Sequence, residues 1–237
     1  MSTENPDCNP TPMIRVFVMR LEEQANNPEF LDKLADCLSE KGRQRVSGWG
    51  SNLNKLQTIA GELLATYSIR QFQDEPDLKI EMGFGENGKP HIENLDNLHF
   101  NISHSGHYVV CAVGKAELGI DVERLRKVNI NIAERYFSAS EINDLLKLDE
   151  SERTDYFITL WTIKESFLKA IGKGLAQNLN SFTVLRSGDS YRLTGNHEAE
   201  KFQIATYHLE GGYRMAVCST ELILNPALEY VSLEMIA

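Results

Sequence analysis

Leu118-Gly-Ile-Asp-Val-Glu123 and, about forty residues on, Trp161-Thr-Ile-Lys-Glu-Ser-Phe-Leu-Lys169 decide how the rest of the chain is read. In the first stretch Leu118, Ile120 and Val122 alternate with Gly119, Asp121 and Glu123, the period-two pattern of a short strand. Residues i and i+2 of a strand share a face, so Asp121 and Glu123 present both carboxylates to one side. Like charges that close repel, and a cation between them relieves the repulsion. The second stretch predicts a helix: Leu160, Ile163, Phe167 and Ile171 form one stripe, while Glu165 and Lys169, four apart, share another side. Two carboxylates on a strand, with a carboxylate and a lysine on a helix, suit a divalent metal and a phosphate. Plainer readings stand beside this one. Asp-x-Glu also suits a solvated strand face, and Glu165 with Lys169 an ordinary ion pair along a helix.

At 237 residues the chain makes one large domain or two small ones, with enough length for a substantial core. The formal net charge of −10 argues against a nucleic-acid binder, whose affinity rests on positive charge. Cys8, Cys37, Cys111 and Cys218 are scattered without a CxxC pair, which predicts neither zinc site nor disulfide framework and suits a reducing compartment. Cys111 and Cys218 lie in apolar, strand-like runs and are expected to be buried. The N-terminal residues lack the features of a signal peptide, and no run reaches the length of a membrane span. A cytoplasmic protein without membrane or nucleic-acid partners is expected.

Residues 1–12 carry three prolines and predict a flexible leader. A strand is expected over Met13–Met19. A helix starts at Asn27-Pro28, with Leu31, Leu34 and Leu38 on one face and Gly42 past its end. A second helix runs from about Ser51, with Leu53, Leu56, Ala60, Leu63 and Tyr67 as its stripe. Leu78, Ile80, Met82 and Phe84 alternate as a strand, Asn87-Gly88 is a turn, and Phe100–Ile102 and Tyr108–Val113 are strands. After the strand at 118–123, helices are expected at about 131–148 and 152–171, and strands at about 182–186, 202–207 and 213–219. Ser138-x-x-Glu141 resembles a capping box. Leu228–Ile236 can add an edge strand. The fold class is therefore α+β: two similar strand–helix–helix–three-strand halves, 13–115 and 116–237, related by a pseudo-twofold axis. The cleft between the halves is the expected active site.

Phe100-Asn-Ile-Ser-His-Ser-Gly106 is the second chemical signal. A histidine flanked by serines at a strand end can hold a phosphate, and His104 can equally be structural. Gly88-Lys89-Pro90 is a turn carrying a cation. Lys41, Arg43 and Arg45 form a small basic cluster that also suits a solvated helix end.

Taken together, Gly88-Lys-Pro90, Phe100–Gly106, Gly119-Ile-Asp-Val-Glu123 and Trp161–Lys169 resemble the 4′-phosphopantetheinyl transferases, and more narrowly their monomeric Sfp type, which activates peptide and polyketide synthases. The resemblance runs from roughly Ser39 to Cys218. It implies transfer of phosphopantetheine from coenzyme A to a serine of a carrier protein, with release of 3′,5′-ADP. It further implies Asp121, Glu123 and Glu165 as Mg²⁺ ligands, with Asp121 also in the coenzyme A site. Lys169, Ser103 and His104 would meet the phosphates, and Lys89, Pro90 and Lys41 the nucleotide end. The chain departs from the family pattern at Gln57, one turn before Gly61, where an arginine is common, and at Gln44, where a lysine is common.

The implied chemistry is attack of the carrier serine on the β-phosphate of coenzyme A, with Glu165 or a metal-bound water taking the proton. Lys164 and Lys169 lie on different sides of their helix, and Lys169 is the better phosphate partner. Val128, Ile130, Ile132 and Phe137 offer apolar positions for a docking carrier, or simply cover the core. Both walls of the cleft come from one chain, so a monomer is expected. Two rivals remain: a metal-dependent nuclease, disfavoured by the acidic balance, and a non-catalytic coenzyme A or carrier-binding module, disfavoured by the intact carboxylate set.

Overall fold

In the computed structural model residues 14–21, 27–47, 52–85, 88–173, 178–221 and 226–236 are described. The leader at 1–12, Met13, Ser51 and Asn87 lie outside them. The first half runs β1 (Ile14–Arg20), α1 (Pro28–Asp36), α2 (Glu40–Ser47), α3 (Asn52–Gln73), β2 (Met82–Phe84), β3 (Pro90–Ile92), β4 (His99–Ser105) and β5 (Tyr108–Gly114). The second runs β6 (Leu118–Arg124), α4 (Ile130–Tyr136), α5 (Ala139–Lys147), α6 (Glu150–Ile171), β7 (Thr183–Ser187), β8 (Ser190–Thr194), β9 (Gln203–Leu209) and β10 (Tyr213–Ser219), before a last strand β11 (Leu228–Val231). Sheet order is β11-β1-β5-β4 in one sheet and β6-β10-β9 in the other, with β2-β3 and β7-β8 as separate hairpins. β1 pairs antiparallel with β5 and β5 with β4, just as β6 pairs antiparallel with β10 and β10 with β9. The fold is α+β, and the two halves share this connectivity.

Among the described residues each half holds one helix and one strand more than the sequence pattern predicts, for local reasons. The helix starting at Asn27 stops at Asp36, and Gly42 lies inside α2 rather than past a helix end. Ser39 Oγ accepts from Gly42 N at 3.1 Å and so opens α2 as a cap. The expected helix over 131–148 is two helices. Ser138 has extended backbone and forms the reciprocal capping box with Glu141, which marks a helix start and therefore breaks the segment. Alternation at Leu78 and Ile80 does not give a strand, because the Asn94 amide takes the ladder's place, bonding Lys79 O at 2.7 Å and Glu81 N at 3.0 Å. β11 does form the expected edge strand, parallel to β1, and Arg15 grips Glu229 through two hydrogen bonds at 2.7 and 2.5 Å.

The apolar pattern builds four layers. Leu56, Ile59 and Leu64 of α3 pack on Val109, Cys111 and Val113 of β5. Between the sheets, Val16, Val18 and Val110 meet Ile120, Val122, Met215 and Val217. On the far side Leu160, Ile163 and Phe167 of α6 pack with Ala216 and Cys218. Cys111 and Cys218 are buried as expected, and burial pushes the Cys111 thiol up to about 12 and the Cys218 thiol up as well. Of the apolar positions left open between a docking surface and core cover, Phe137 is core, its ring centroid 4.9 Å from that of Phe157, whereas Ile132 is exposed.

α6 is buried almost all round. Lys164, wholly inside, pairs with Glu141 at 2.9 Å and bonds Leu179 O at 2.8 Å and Phe182 O at 2.9 Å. Burial lowers the Lys164 pKa and the Glu141 charge opposes that shift. All three ammonium protons are thereby met, the condition under which a buried ion is tolerable.

The sheets join at a seam where the free edge of β4 faces the free edge of β6. No backbone ladder closes it. Instead Asn101 Oδ1 accepts from Ile120 N at 2.9 Å, Ser103 Oγ from Val122 N at 3.3 Å and Ser105 Oγ from Arg124 N at 3.2 Å. Leaving a buried N–H such as that of Ile120 or Val122 unmet costs about 1–3 kcal/mol. On the face of β6 that carries Asp121 and Glu123, Gly119 lets α6 close in: a Cβ there would collide with Ser166 O and Ala170 N, both backbone atoms. Gly119→Ala is thus expected to destabilise the protein by about 1–3 kcal/mol, the usual range for overpacking, measured by urea denaturation. A loss below a few tenths would mean that α6 does not need this approach.

Candidate functional site

Strand alternation on β4 decides which side chains meet. The expected strand stopped at Ile102, but β4 continues through Ser105, so Asn101, Ser103 and Ser105 turn to β6 while His104 turns with Ile102 the other way. Ser103 Oγ donates to Asp121 Oδ1 at 2.9 Å. Lys169, from the last turns of α6, reaches the same pair: Nζ lies 2.6 Å from Asp121 Oδ1, 2.8 Å from Ser103 Oγ and 3.2 Å from Ile120 O. Ser105 Oγ donates to Glu123 Oε2 at 3.0 Å. The strand and helix named at the outset are therefore brought together across the seam.

The carboxylates are under strain of charge. Burial raises the Glu123 pKa, and Asp121 adds to the rise against the Ser105 hydrogen bond. Burial likewise raises that of Glu165, helped by Asp121 and Glu123 and opposed by Lys169. Asp121 Oδ2 is buried and has no hydrogen-bond partner. Among the described residues no three His, Cys, Asp or Glu side chains are drawn together as a ready-made metal site. The donor chemistry nevertheless fits a hard dication: carboxylate oxygens that repel one another, one of them buried and unpartnered. Lys169 already holds Asp121 by its other oxygen.

Beside this cluster lies a cavity of about 200 Å³ whose wall includes Lys41, Arg45, Gln57, Gly61, Pro90 and His104. It gathers Lys41, Pro90 and His104 of the expected coenzyme A set. Gln57, at a position where the family pattern often has arginine, lines it too and donates to Gly106 O at 2.8 Å. Desolvation, with the Lys169 charge nearby, lowers the His104 pKa, so its imidazole is neutral near pH 7. Lys89 points elsewhere: its ammonium bonds Ala170 O at 2.7 Å and Leu118 O at 3.4 Å, tying the end of α6 to the start of β6. Sequence reasoning missed Asn101 and Ser105. Their signal was the spacing Asn-x-Ser-x-Ser, which shares the period of a strand.

The family profile described as "4'-phosphopantetheinyl transferase superfamily" matches residues 117–218, and "4'-phosphopantetheinyl transferase, N-terminal" matches 24–116. The 4'-phosphopantetheinyl transferase Sfp of Bacillus subtilis (strain 168) is 37% identical over 224 residues, covering 92% of this chain and 96% of that protein. The transferase psf-1 of Bacillus pumilus is 34% identical, covering 93% and 96%, and gsp of Aneurinibacillus migulanus 31%, covering 87% and 86%. A solved holo-(acyl-carrier-protein) synthase from Bacillus anthracis aligns with 44% of the chain at 19% identity and a TM-score of 0.39. No helix among the described residues is long and apolar enough to cross a membrane. With both halves matched, and with relatives above 30% identity along nearly its whole length, the chain belongs to the 4′-phosphopantetheinyl transferase superfamily.

Proposed function

We propose that this enzyme moves the 4′-phosphopantetheine arm of coenzyme A onto a serine of an acyl- or peptidyl-carrier protein and releases 3′,5′-ADP. The observation that carries the proposal is the cluster of Asp121, Ser103 and Lys169 at the seam, with Glu123 and Glu165 near it electrostatically and a partly basic cavity alongside. In the reaction the serine oxygen bonds to the β-phosphorus of the pyrophosphate, and the bond from that phosphorus to the bridging oxygen breaks. The electron pair leaves with 3′,5′-ADP, and the serine proton passes to Glu165.

Each side chain has a role in that chemistry. Glu165 is the carboxylate assigned to receive the serine proton. Lys169 sets a positive charge against the pyrophosphate. His104, neutral, offers a ring N–H rather than a cation, and Lys41 offers a flexible charge at the cavity wall to the nucleotide end. Pro90 supplies apolar wall. Asp121, Glu123 and Glu165 would hold Mg²⁺, which when bound offsets negative charge on the pyrophosphate. One chain provides both sides of the seam, so we assign the active species as a monomer in the cytoplasm, serving peptide or polyketide synthases.

Two outcomes test this. Incubation of a carrier domain with coenzyme A, Mg²⁺ and the enzyme should add a phosphopantetheine arm, read by intact-protein mass; excess chelator should abolish the addition. Glu165→Gln should lose on the order of a hundredfold or more in rate while melting normally. A near wild-type rate removes Glu165 from the chemistry.

A further test follows from the carboxyl groups. The fold holds the protons of Glu123 and Glu165 more tightly than the unfolded chain does, since both pKa values are raised. Their contribution to stability is greatest below the ordinary glutamate range and declines as pH rises through the raised values. Mg²⁺ should accordingly raise Tm at neutral pH and much less at pH near 4. Equal shifts at both pH values would contradict a site built on these carboxylates.

A further inference from the structure

Ser105 is clamped between two groups of one strand. Its Oγ accepts from Arg124 N at 3.2 Å and donates to Glu123 Oε2 at 3.0 Å. A serine hydroxyl has one proton and can turn freely about its C–O bond. Here the backbone N–H takes a lone pair, and the proton is left aimed at the carboxylate. Because residues 123 and 124 are adjacent on β6, the strand itself dictates where the hydroxyl points.

Ser103 repeats the arrangement one pleat along, accepting from Val122 N and donating to Asp121 Oδ1. Asp121 has a second hold in Lys169 at 2.6 Å. Glu123 has a longer side chain, and no lysine or arginine among the described residues makes an ion pair with it. Its direction therefore depends on Ser105 more than that of Asp121 depends on Ser103.

We propose that Ser105 is a positioning residue for the transfer reaction, its hydroxyl setting the rotamer of Glu123 and so aiming that carboxylate at the divalent cation. The proposal rests on the reading of Glu123 as a metal ligand. Asn101 makes the contrast: it accepts from Ile120 N at 2.9 Å in the same seam, and among the described residues no hydrogen bond joins it to a carboxylate. Ser105 thus does two things, closing the seam and orienting a ligand, where Asn101 does only the first.

The test uses the full chain with coenzyme A bound and Mn²⁺ as the probe, free Mn²⁺ being counted by electron paramagnetic resonance. Ser105→Ala should weaken Mn²⁺ binding roughly tenfold, the lower end of the usual effect of removing a partner of a ligating side chain. Ser105→Thr, which keeps the hydroxyl on a residue suited to strands, should restore it. Asn101→Ala should lower Tm and leave Mn²⁺ affinity within about twofold, since it touches only the seam. Glu123→Gln is the reference. If Glu123→Gln loses Mn²⁺ and Ser105→Ala does not, positioning is refuted while the ligand reading stands. If both bind as wild type does, the ligand reading falls and the proposal with it. If Asn101→Ala weakens Mn²⁺ as much as Ser105→Ala, seam integrity explains the effect and the proposal is overturned.

Discussion

Three side chains do the work of a missing strand partner. Asn101, Ser103 and Ser105 accept from the amides of Ile120, Val122 and Arg124, and so close an edge that backbone pairing leaves open. A continuous ladder would hold the two strands at the ordinary spacing and offer only backbone atoms between them. A side-chain seam holds them apart by the length of a hydroxyl or amide. Two of the three bridging groups are hydroxyls whose single proton goes to a carboxylate of the facing strand. The joint between the halves and the chemistry of the site are one set of hydrogen bonds.

The other supports fix how α6 stands against that joint. Gly119 lets the helix approach β6 until backbone nearly touches backbone. Lys164, on the opposite side, anchors the helix to Glu141 and to two carbonyls beyond it. Lys89 draws the Ala170 carbonyl toward the start of β6. With the helix held on these sides, Glu165 and Lys169 can face Asp121 only one way. The cost is electrostatic: acidic groups are collected where burial penalises their charge, which destabilises the metal-free fold at neutral pH and favours a bound cation.

Much of this was legible in the sequence where a residue's partners are near it in the chain. Alternation at 118–123 and the stripe at 160–171 identified both site elements, because their periodicity records which face is buried. The capping box at Ser138 was visible too, yet its meaning as a break between α4 and α5 depends on the extended backbone at that residue. What escaped depends on partners far along the chain. Lys89 has the composition of a phosphate ligand and spends its charge on carbonyls 29 and 81 residues away. Asn94 replaced a strand ladder with its side-chain amide. The Asn-x-Ser-x-Ser spacing of β4 is ordinary turn composition until the edge it faces is known.

The central claim is that Asp121, Glu123 and Glu165 meet one divalent cation at the seam, next to coenzyme A in the neighbouring cavity. A crystal of the enzyme grown with Mn²⁺ and coenzyme A tests it most directly, through the anomalous signal of the metal. The account predicts a single strong peak in direct contact with oxygens of all three carboxylates and of the pyrophosphate. A peak away from the seam, or coenzyme A bound with its pyrophosphate out of reach of Asp121, would contradict it.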